Sequence, residues 1–359
     1  MSRRKLSLTL SSLILSISLT VTSCSTNYPL KGTDETISKA LEYLAEAQAS
    51  DGSIGSYSDT GWAVMALSAA GKDPAHFGSS SPVEFLRQNN HQLLDSYNIT
   101  ADLARNVLAI ISAGQSPFSF GEGNAAVPDG DYIDALTKLH DGQQFGQPDS
   151  INEDFWAINA LIAAGFSPED EIISTTVEYI LENRGPDKGW SWATPYNEWY
   201  MESDPDNTAA AVMALVNAGL NPDDEPVAGA LEAIKGMQGD NGGFVSYGVE
   251  NSSSTSWAIS AFAMAGKDPF ALGNDNADAL SYLLGMQDED GHFRFAHPLP
   301  EGFLAMPEKT TAESIVALMG SGYPVSRPNP GNWWLWPILI MLILSMIAFL
   351  YTNNRRRSK

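Results

Sequence analysis

Two carboxylates stand two residues apart at the start of an alanine-rich stretch, in the sequence Asp204-Pro-Asp-Asn-Thr-Ala209. A carboxylic acid can donate a proton in catalysis only if it keeps that proton at working pH, which requires neighbours that raise its pKa. Asp206 is the candidate proton donor, and Asp204 is the neighbour that would support it. The same two side chains could instead hold a ligand without reacting with it.

A strongly aromatic run, from Trp190 to Tyr200, lies directly before these carboxylates. Its tryptophans, Trp190, Trp192 and Trp199, offer flat faces that could stabilise a cation or stack against a sugar ring. A loop that covers or plugs a cavity would use the same side chains for packing. Glu198 adds a further carboxylate, so a pair of acids flanking a glycosidic bond could also form here.

The stretch after Asp206 is one copy of a repeat in which an apolar segment closes on Ala-Gly or Ser-Gly. Glycine just past a helix supplies a left-handed stop, so each segment is predicted to end a helix. The six segments are Ala66-Leu-Ser-Ala-Ala-Gly71, Ala109-Ile-Ile-Ser-Ala-Gly114, Ala160-Leu-Ile-Ala-Ala-Gly165, Ala214-Leu-Val-Asn-Ala-Gly219, Ala261-Phe-Ala-Met-Ala-Gly266 and Ala317-Leu-Met-Gly-Ser-Gly322.

A second, more amphipathic helix is predicted before each apolar one, from the helical spacing of its leucines. Helices that are apolar on most sides are buried, so the sequence predicts an inner ring of apolar helices and an outer ring of amphipathic ones. Acidic, glycine-rich segments such as Gln238-Gly-Asp-Asn-Gly-Gly-Phe244 are predicted to be turns and not calcium sites. The outer helices are predicted at 36–48, 82–95, 131–141, 172–183, 226–238 and 276–287.

Polar side chains line one face of the predicted inner helices when the repeats are aligned on their shared alanine. We call the residue seven before that alanine the rim position and the residue four before it the lumen position; both offsets fall on one helical face. If this face looks inward, a cavity has a polar rim above aromatic rings, and Arg105 needs a partner such as Asp102 or Glu313. Helix capping and core packing would explain the same residues. The rim residues are Asp59, Asp102, Glu153, Asn207, Ser254 and Thr310, and the lumen residues are Trp62, Arg105, Trp156, Ala210, Trp257 and Glu313.

The Gln-x-x-Asp-Gly turns followed by Asp-x-x-Thr-Ala helices resemble the prenyltransferase and squalene-cyclase repeat. The resemblance spans residues 34–325 and implies an all-α fold, an (α/α)6 toroid of six helical hairpins. Family members include terpenoid cyclases, protein prenyltransferase β-subunits, cobalamin carriers and many secreted bacterial proteins. The repeat is therefore specific to the fold and poorly specific to function.

Within that family, Asp204 to Ala209 is similar to the Asp-x-Asp-Asp-Thr-Ala motif of class II terpenoid cyclases, whose middle aspartate protonates an alkene or epoxide. The resemblance implies that Asp206 is the acid and Asp204 its helper, with tryptophan faces around the cation. Asn207 stands where those enzymes have a third aspartate, and their second barrel domain has no counterpart here. The zinc site of the prenyltransferases includes a cysteine, and the single cysteine, Cys24, lies outside the repeats. No metal and no other cofactor is predicted.

Both ends of the chain carry features of membrane attachment. Residues 1–24 have a basic start and an apolar run and end in Val-Thr-Ser-Cys, the layout of a signal peptide, with Cys24 either lipidated or beside an ordinary cleavage site. A linker at 326–332 leads to an apolar stretch at 333–351 that is long enough to span a bilayer. Tryptophans at one edge of that stretch and the basic tail 352–359 beyond the other predict the tail in the cytoplasm and the toroid outside.

The chain is acidic, with a formal net charge of −23. Phosphate contacts need lysine and arginine, so nucleic acid is excluded as a partner. The sequence therefore predicts a membrane-anchored extracytoplasmic toroid that binds a small molecule, lipid, glycan or partner protein at the barrel mouth. Two alternatives remain, a terpenoid-cyclase-like enzyme that uses Asp206 and a glycan-cleaving toroid.

Overall fold

The computed structural model describes residues 27–194, 202–273 and 277–325. Helices dominate it, and they alternate between two concentric layers. The inner helices are α2 (Tyr57–Ala69), α4 (Ile99–Ser112), α6 (Asn152–Ala163), α8 (Pro205–Asn217), α10 (Ser252–Met264) and α12 (Pro307–Leu318). The outer helices are α1 (Glu35–Glu46), α3 (Pro82–Gln88), α5 (Tyr132–Thr137), α7 (Glu171–Glu182), α9 (Glu225–Gly236) and α11 (Ala279–Gly285).

The inner helices form a closed ring. Each packs against the next along the chain, and α12 packs against α2, so the ring has no free edge. Buried alanines such as Ala66, Ala160 and Ala214 let neighbouring helix backbones approach closely. The inner helices all run in one direction, so the toroid has a mouth, where they begin, and a base, where they end. The predicted toroid of six hairpins is therefore observed.

A short hairpin stands at the mouth before α10. Its strands, β1 (Phe244–Ser246) and β2 (Val249–Asn251), pair antiparallel around Tyr247 and Gly248. Short 3-10 helices lie in the connections, at Pro74–His76, Asn90–Asp95, Pro128–Gly130 and Pro269–Ala271. Three outer helices are shorter than their sequence predicted: α3 ends at Gln88, α5 ends at Thr137, and α11 runs only from Ala279 to Gly285.

A repeated hydrogen bond fixes the start of most inner helices. The residue six before the shared alanine is threonine in four of the repeats, and its hydroxyl accepts the backbone N–H of an apolar residue in the preceding turn. These pairs are Thr60 with Ile54 at 2.9 Å, Thr208 with Trp190 at 3.0 Å, Thr255 with Phe244 at 3.0 Å and Thr311 with Phe293 at 2.9 Å. In the third repeat, Asp154 replaces threonine and accepts the N–H of Phe145 at 2.7 Å.

The sixth inner helix ends earlier than its repeat pattern predicted. The left-handed stop is Gly320, with φ of 68°, whereas the sequence placed it at Gly322. The backbone of Gly322 then runs tightly past α8 and α10, where an added Cβ would lie 2.4 Å from Met264 Cγ and 2.8 Å from Met213 Sδ. This early stop turns the chain inward and places Tyr323, which is 2% exposed, inside the ring.

Both predicted membrane elements fall on parts of the chain that the structure does not describe. The signal segment 1–24 with Cys24, the linker 326–332, the stretch 333–351 and the tail 352–359 all lie there. Across the residues that are described, none of the helices has the length and apolar character needed to cross a membrane.

Candidate functional site

Aromatic rings fill the lumen of the toroid. Trp62, Trp156 and Trp257, all at lumen positions, approach one another with ring centroids 5.4 to 6.0 Å apart. Tyr323 rises from the base and lies 5.2 to 6.1 Å from all three. None of the four side chains is more than 7% exposed. We call these four residues the aromatic plug; they leave no open channel at this level of the ring among the described residues.

The two charged lumen residues, Arg105 and Glu313, each contact a tryptophan of the aromatic plug. The Arg105 guanidinium lies 5.4 Å from the ring centre of Trp156 and pairs with Asp102 on its own helix. Glu313 accepts the indole N–H of Trp257 at 3.1 Å and the hydroxyl of Ser253 at 2.6 Å. Both charges therefore have partners within the protein, as buried charges require.

Lys309 completes the Glu313 group and was missed from the sequence. Its ammonium lies 3.2 Å from Glu313 Oε1 and 5.9 Å from the ring centre of Trp62. The i,i+4 spacing of lysine and glutamate on α12 was the signal that could have found it. The ammonium thus links the acidic group to the aromatic plug.

Asp206 lies at the mouth, one turn above the plug. Burial raises the pKa of its carboxyl to about 7, and the nearby Asp204 carboxylate acts in the same direction. Ser254 and the Lys309 ammonium oppose this by lowering the pKa. The atom Asp206 Oδ1 and the Ser254 hydroxyl lack a hydrogen bond of normal geometry within the described part of the chain. The Asp206 carboxyl therefore has a raised pKa, and its Oδ1 is a buried acceptor without a partner in the described part of the chain.

Asp204 has a structural partner that the sequence did not reveal. It caps α8 by accepting the backbone N–H of Asn207 at 2.8 Å, and it accepts the Asn207 amide at 2.7 Å. Burial raises the pKa of Asp204, and these two hydrogen bonds oppose that rise. Asn207 therefore serves as a donor to Asp204, at the place where a cyclase motif has its third acid.

The other rim residues include two caps, a buried carboxyl and one group at the edge of a cavity. Asp59 belongs to a capping box with Ser56, and Thr310 donates to the Phe293 carbonyl at 2.6 Å, so both are committed to local structure. Glu153 is 1% exposed and accepts the backbone N–H of Gln147 at 3.3 Å, while burial raises its pKa. Asp102, paired with Arg105, remains at the edge of a cavity.

That cavity is a mouth pocket between the starts of α2 and α4. Its volume is about 320 Å³, and Trp62 forms part of its floor. Tyr97, 97% exposed, stands at its wall, and Asp102 and Arg105 supply its ion pair. Small-molecule sites combine such a concave shape and apolar surface with a few fixed polar groups. The sequence missed Tyr97 because it lies in a connection outside the repeat.

The aromatic run before α8 separates into different environments. Trp190 is 1% exposed and donates its indole N–H to the Ile180 carbonyl at 2.8 Å, so it belongs to the core between α7 and α8 and not to the mouth. Trp192 is 43% exposed, and its carbonyl accepts the N–H of Asn152 at the start of α6. Trp199 lies outside the described residues.

In the described ranges, no group of histidine, cysteine and acidic side chains could hold a metal ion.

Comparison with solved structures places the fold among α/α toroids. A type II terpene cyclase from Scytonema matches with 14% identity and a TM-score of 0.50, covering 79% of this chain and 96% of that one. A protein from Actinoplanes matches with 16% identity and a TM-score of 0.53, covering 79% and 98%. A glycosidase in complex with glucose matches with 11% identity and a TM-score of 0.54, covering 80% and 96%.

The chain thus has a terpenoid-cyclase-like toroid fold. No family model matches the sequence, and no curated protein matches it. The structural matches include both a cyclase and a glycosidase, each at low sequence identity. They therefore establish the architecture, and any activity must be inferred from the site.

Proposed function

We propose that this protein is a membrane-anchored binding toroid, which holds its ligand at the mouth and not in the lumen. The observation that carries the proposal is the aromatic plug. A cyclase lumen must be empty to accept an isoprenoid chain, whereas here Trp62, Trp156, Trp257 and Tyr323 occupy that space. The plug gives the mouth a rigid floor, and rigid support favours binding groups with fixed geometry.

The mouth pocket supports a compact ligand. Its volume of about 320 Å³ lies at the small end of the range for ligand sites. Tyr97 offers an aromatic face, and the Arg105–Asp102 pair offers both a donor and an acceptor. A sugar ring or another small molecule with one flat apolar face and several polar groups matches these features.

The membrane part of the proposal rests on the sequence. The stretch 333–351 has the length and apolarity of a bilayer span, with Trp333, Trp334 and Trp336 at one edge and arginines beyond the other. Such a span would hold the toroid outside the cytoplasm. Cys24 would add a lipid anchor at the other end of the toroid sequence if it is lipidated.

Native mass spectrometry of the full chain, released from detergent micelles, tests the binding proposal. We expect an adduct of defined mass on the purified wild-type protein, and Tyr97→Ala should reduce its occupancy at least tenfold. Tyr247→Ala is the matched control, because this tyrosine is also exposed at the mouth but does not line the pocket. Equal occupancy in both variants would contradict binding in this pocket.

A second candidate function is glycoside hydrolysis at the mouth with Asp206 as general acid. It is favoured by the pKa of about 7 and the unpartnered oxygen of Asp206, since a catalytic acid works best with a pKa near the operating pH. Asp206→Asn would then abolish release of reducing sugar from oligosaccharides while leaving their binding intact. Glu301→Gln, an exposed acid in a mouth loop, is the control. Absence of any turnover in the wild type would remove this candidate.

A further inference from the structure

We infer that the base of the toroid rests on the lipid headgroup region of the membrane and that the mouth faces away from the bilayer. The inference rests on the proposed membrane anchor, and it adds the surface that meets the lipid. It follows from where the described chain begins and ends, from the length of the linker and from the chemistry of the base.

Both ends of the described chain meet at the base. The backbone N–H of Leu30 donates to the Leu318 carbonyl at 2.8 Å, and the Tyr28 hydroxyl donates to the Ala317 carbonyl at 3.0 Å. These carbonyls belong to the last turn of α12. The segment that follows Cys24 and the segment that leads to the membrane stretch therefore leave the toroid on the same side.

The linker is too short to bring the mouth to the membrane. Val325 is buried at the base, two residues after the Tyr323 ring in the plug. Seven residues, 326–332, extend at most about 25 Å. A path to the mouth would cross two helix layers of about 10 Å each and then climb the roughly 20 Å length of an inner helix. The linker 326–332 is therefore long enough to place the base at the membrane and too short to place the mouth there.

The surface of the base suits a lipid interface. An apolar groove of about 640 Å³ runs along it and is lined by Pro29, Leu30, Ala69, Ala70, Met264 and Met319. Phe270, 46% exposed, packs on Tyr28 beside this groove with ring centroids 6.3 Å apart. Lys31 and Lys72 are exposed at the same face, together with the carboxylates of Asp73 and Asp268, so the base is of mixed charge around its apolar groove. The apolar groove is the part of this surface that suits the headgroup region, where zwitterionic lipids tolerate charges of both signs.

The orientation restricts the ligand. With the mouth turned away from the bilayer, the pocket beside Tyr97 opens to the aqueous phase outside the membrane. A lipid from the protein's own membrane would have to leave the bilayer and travel the height of the toroid to reach it. The ligand class is therefore a water-soluble molecule or the surface of another macromolecule.

Site-directed quenching in lipid vesicles tests the orientation with the full chain. Cys24→Ser removes the single cysteine, and Phe270→Cys at the base or Tyr247→Cys at the mouth then carries an environment-sensitive bimane label. Phosphatidylcholine with a spin-labelled headgroup serves as the quencher. We expect the label at position 270 to be quenched at least threefold more than the label at position 247.

A second pair of labelled variants, Lys72→Cys at the base and Leu304→Cys at the mouth, repeats the comparison at other exposed positions. It shows whether a result from the first pair reflects the orientation or a local disturbance at position 270 or 247. Stronger quenching at the mouth, or equal quenching in both pairs, would overturn the orientation while leaving the anchor intact. Failure of the labelled protein to float with the vesicles would overturn the anchor itself, and the orientation with it.

Discussion

The rim and lumen positions lie one helical turn apart on the same six helices, yet they serve different purposes. At the lumen positions, Trp62, Trp156 and Trp257 pack against one another and are nearly inaccessible to solvent. At the rim, Asp102 keeps a side chain at the edge of the mouth pocket, and Asp206 lies just before its rim residue with an unpartnered oxygen. A toroid can therefore close its lumen and still keep a chemically rich mouth.

The difference shows which positions hold the fold together and which carry chemistry. Buried rings with fixed edge-to-face contacts hold the inner helices in register. Carboxyls with raised pKa values, held at the mouth above those rings, are unfavourable for stability and are typical of functional sites. The four predictions below test this division, from the largest expected effect to the smallest.

Removing a plug ring should have the largest effect on stability. Trp257→Ala would leave a cavity between Trp62, Trp156 and Tyr323, and it would leave Glu313 without its indole donor. We expect a loss of about 3–5 kcal/mol in the free energy of unfolding, measured by chemical denaturation. Trp192→Ala, at an exposed position by the mouth, should cost less than about 1 kcal/mol. Similar losses for the two variants would erase the distinction between lumen and mouth.

The buried carboxyl of Asp154 should give a large dependence of stability on pH. Burial raises its pKa to about 8, and Glu153 beside it adds to the rise. A pKa raised in the folded state gives stability that is full below the unfolded pKa and is lost as pH rises through the folded value. Asp154→Thr introduces the residue that four sister repeats have at this position. The stability advantage of this variant over the wild type should be about 2–4 kcal/mol larger at pH 8 than at pH 5.

Stability is measured by chemical denaturation at pH 5 and pH 8, and the control is a variant that keeps the Asp154 carboxyl. Thr255→Val removes the equivalent hydrogen bond in the fifth repeat and should cost about 1 kcal/mol at both pH values. If Asp154→Thr showed the same stability difference from wild type at both pH values, the carboxyl would not be protonated in the folded protein.

The close backbone passage that delivers Tyr323 to the lumen should tolerate no added atom. Gly322→Ala would place a methyl group against Met264 and Met213, and the required shift should cost about 1–3 kcal/mol. Gly302→Ala, at a left-handed glycine with open space around it, separates the cost of backbone conformation from that of crowding. A smaller loss for Gly322→Ala than for Gly302→Ala would show that the passage is not tight.

Asp206→Asn should have the smallest effect on stability. Burial raises the pKa of its carboxyl to about 7, below the value of about 8 for Asp154, and Ser254 and Lys309 oppose the rise. The gain in stability of the asparagine variant over the wild type should be about 1–2 kcal/mol larger at pH 8 than at pH 5, less than for Asp154→Thr, because the uncharged amide avoids the cost of ionising and the folded pKa is lower. A gain as large as that of Asp154→Thr would place Asp206 in the core and remove it from the candidate site.

The repeat pattern was sufficient to predict the toroid and its inner and outer rings, whereas it left open which helix face looks inward. Those features depend on local periodicity and on glycine stops. Tyr323 could not be predicted, because the pattern put the sixth stop at Gly322, and only the packing around α8 and α10 turns the chain inward. For Trp190 the sequence left ligand contact and packing both open, and its place in the core depends on hydrogen bonds to Ile180 and Thr208.

The candidate site was predicted in part. Aligning the repeats identified Asp102, one of the two partners proposed for Arg105; Glu313, the other, pairs with Lys309 instead. The partners that determine their chemistry, Lys309 for Glu313 and Tyr97 at the pocket, lie outside the two aligned positions. The position six before the shared alanine was not compared. Comparing it would have shown that Asp154 stands where four other repeats have threonine.

The most direct test of the central claim, that the lumen is filled, is ¹⁹F NMR of the full chain labelled with 5-fluorotryptophan. Resonances are assigned with single Trp→Phe variants, and a small water-soluble nitroxide is added as a relaxation agent. A filled lumen predicts that the signals of Trp156 and Trp257 broaden far less than that of Trp192, while the signal of Trp62, on the floor of the mouth pocket, broadens to an intermediate extent. Broadening of the three lumen signals to the same extent as Trp192 would show an open lumen and contradict binding at the mouth alone.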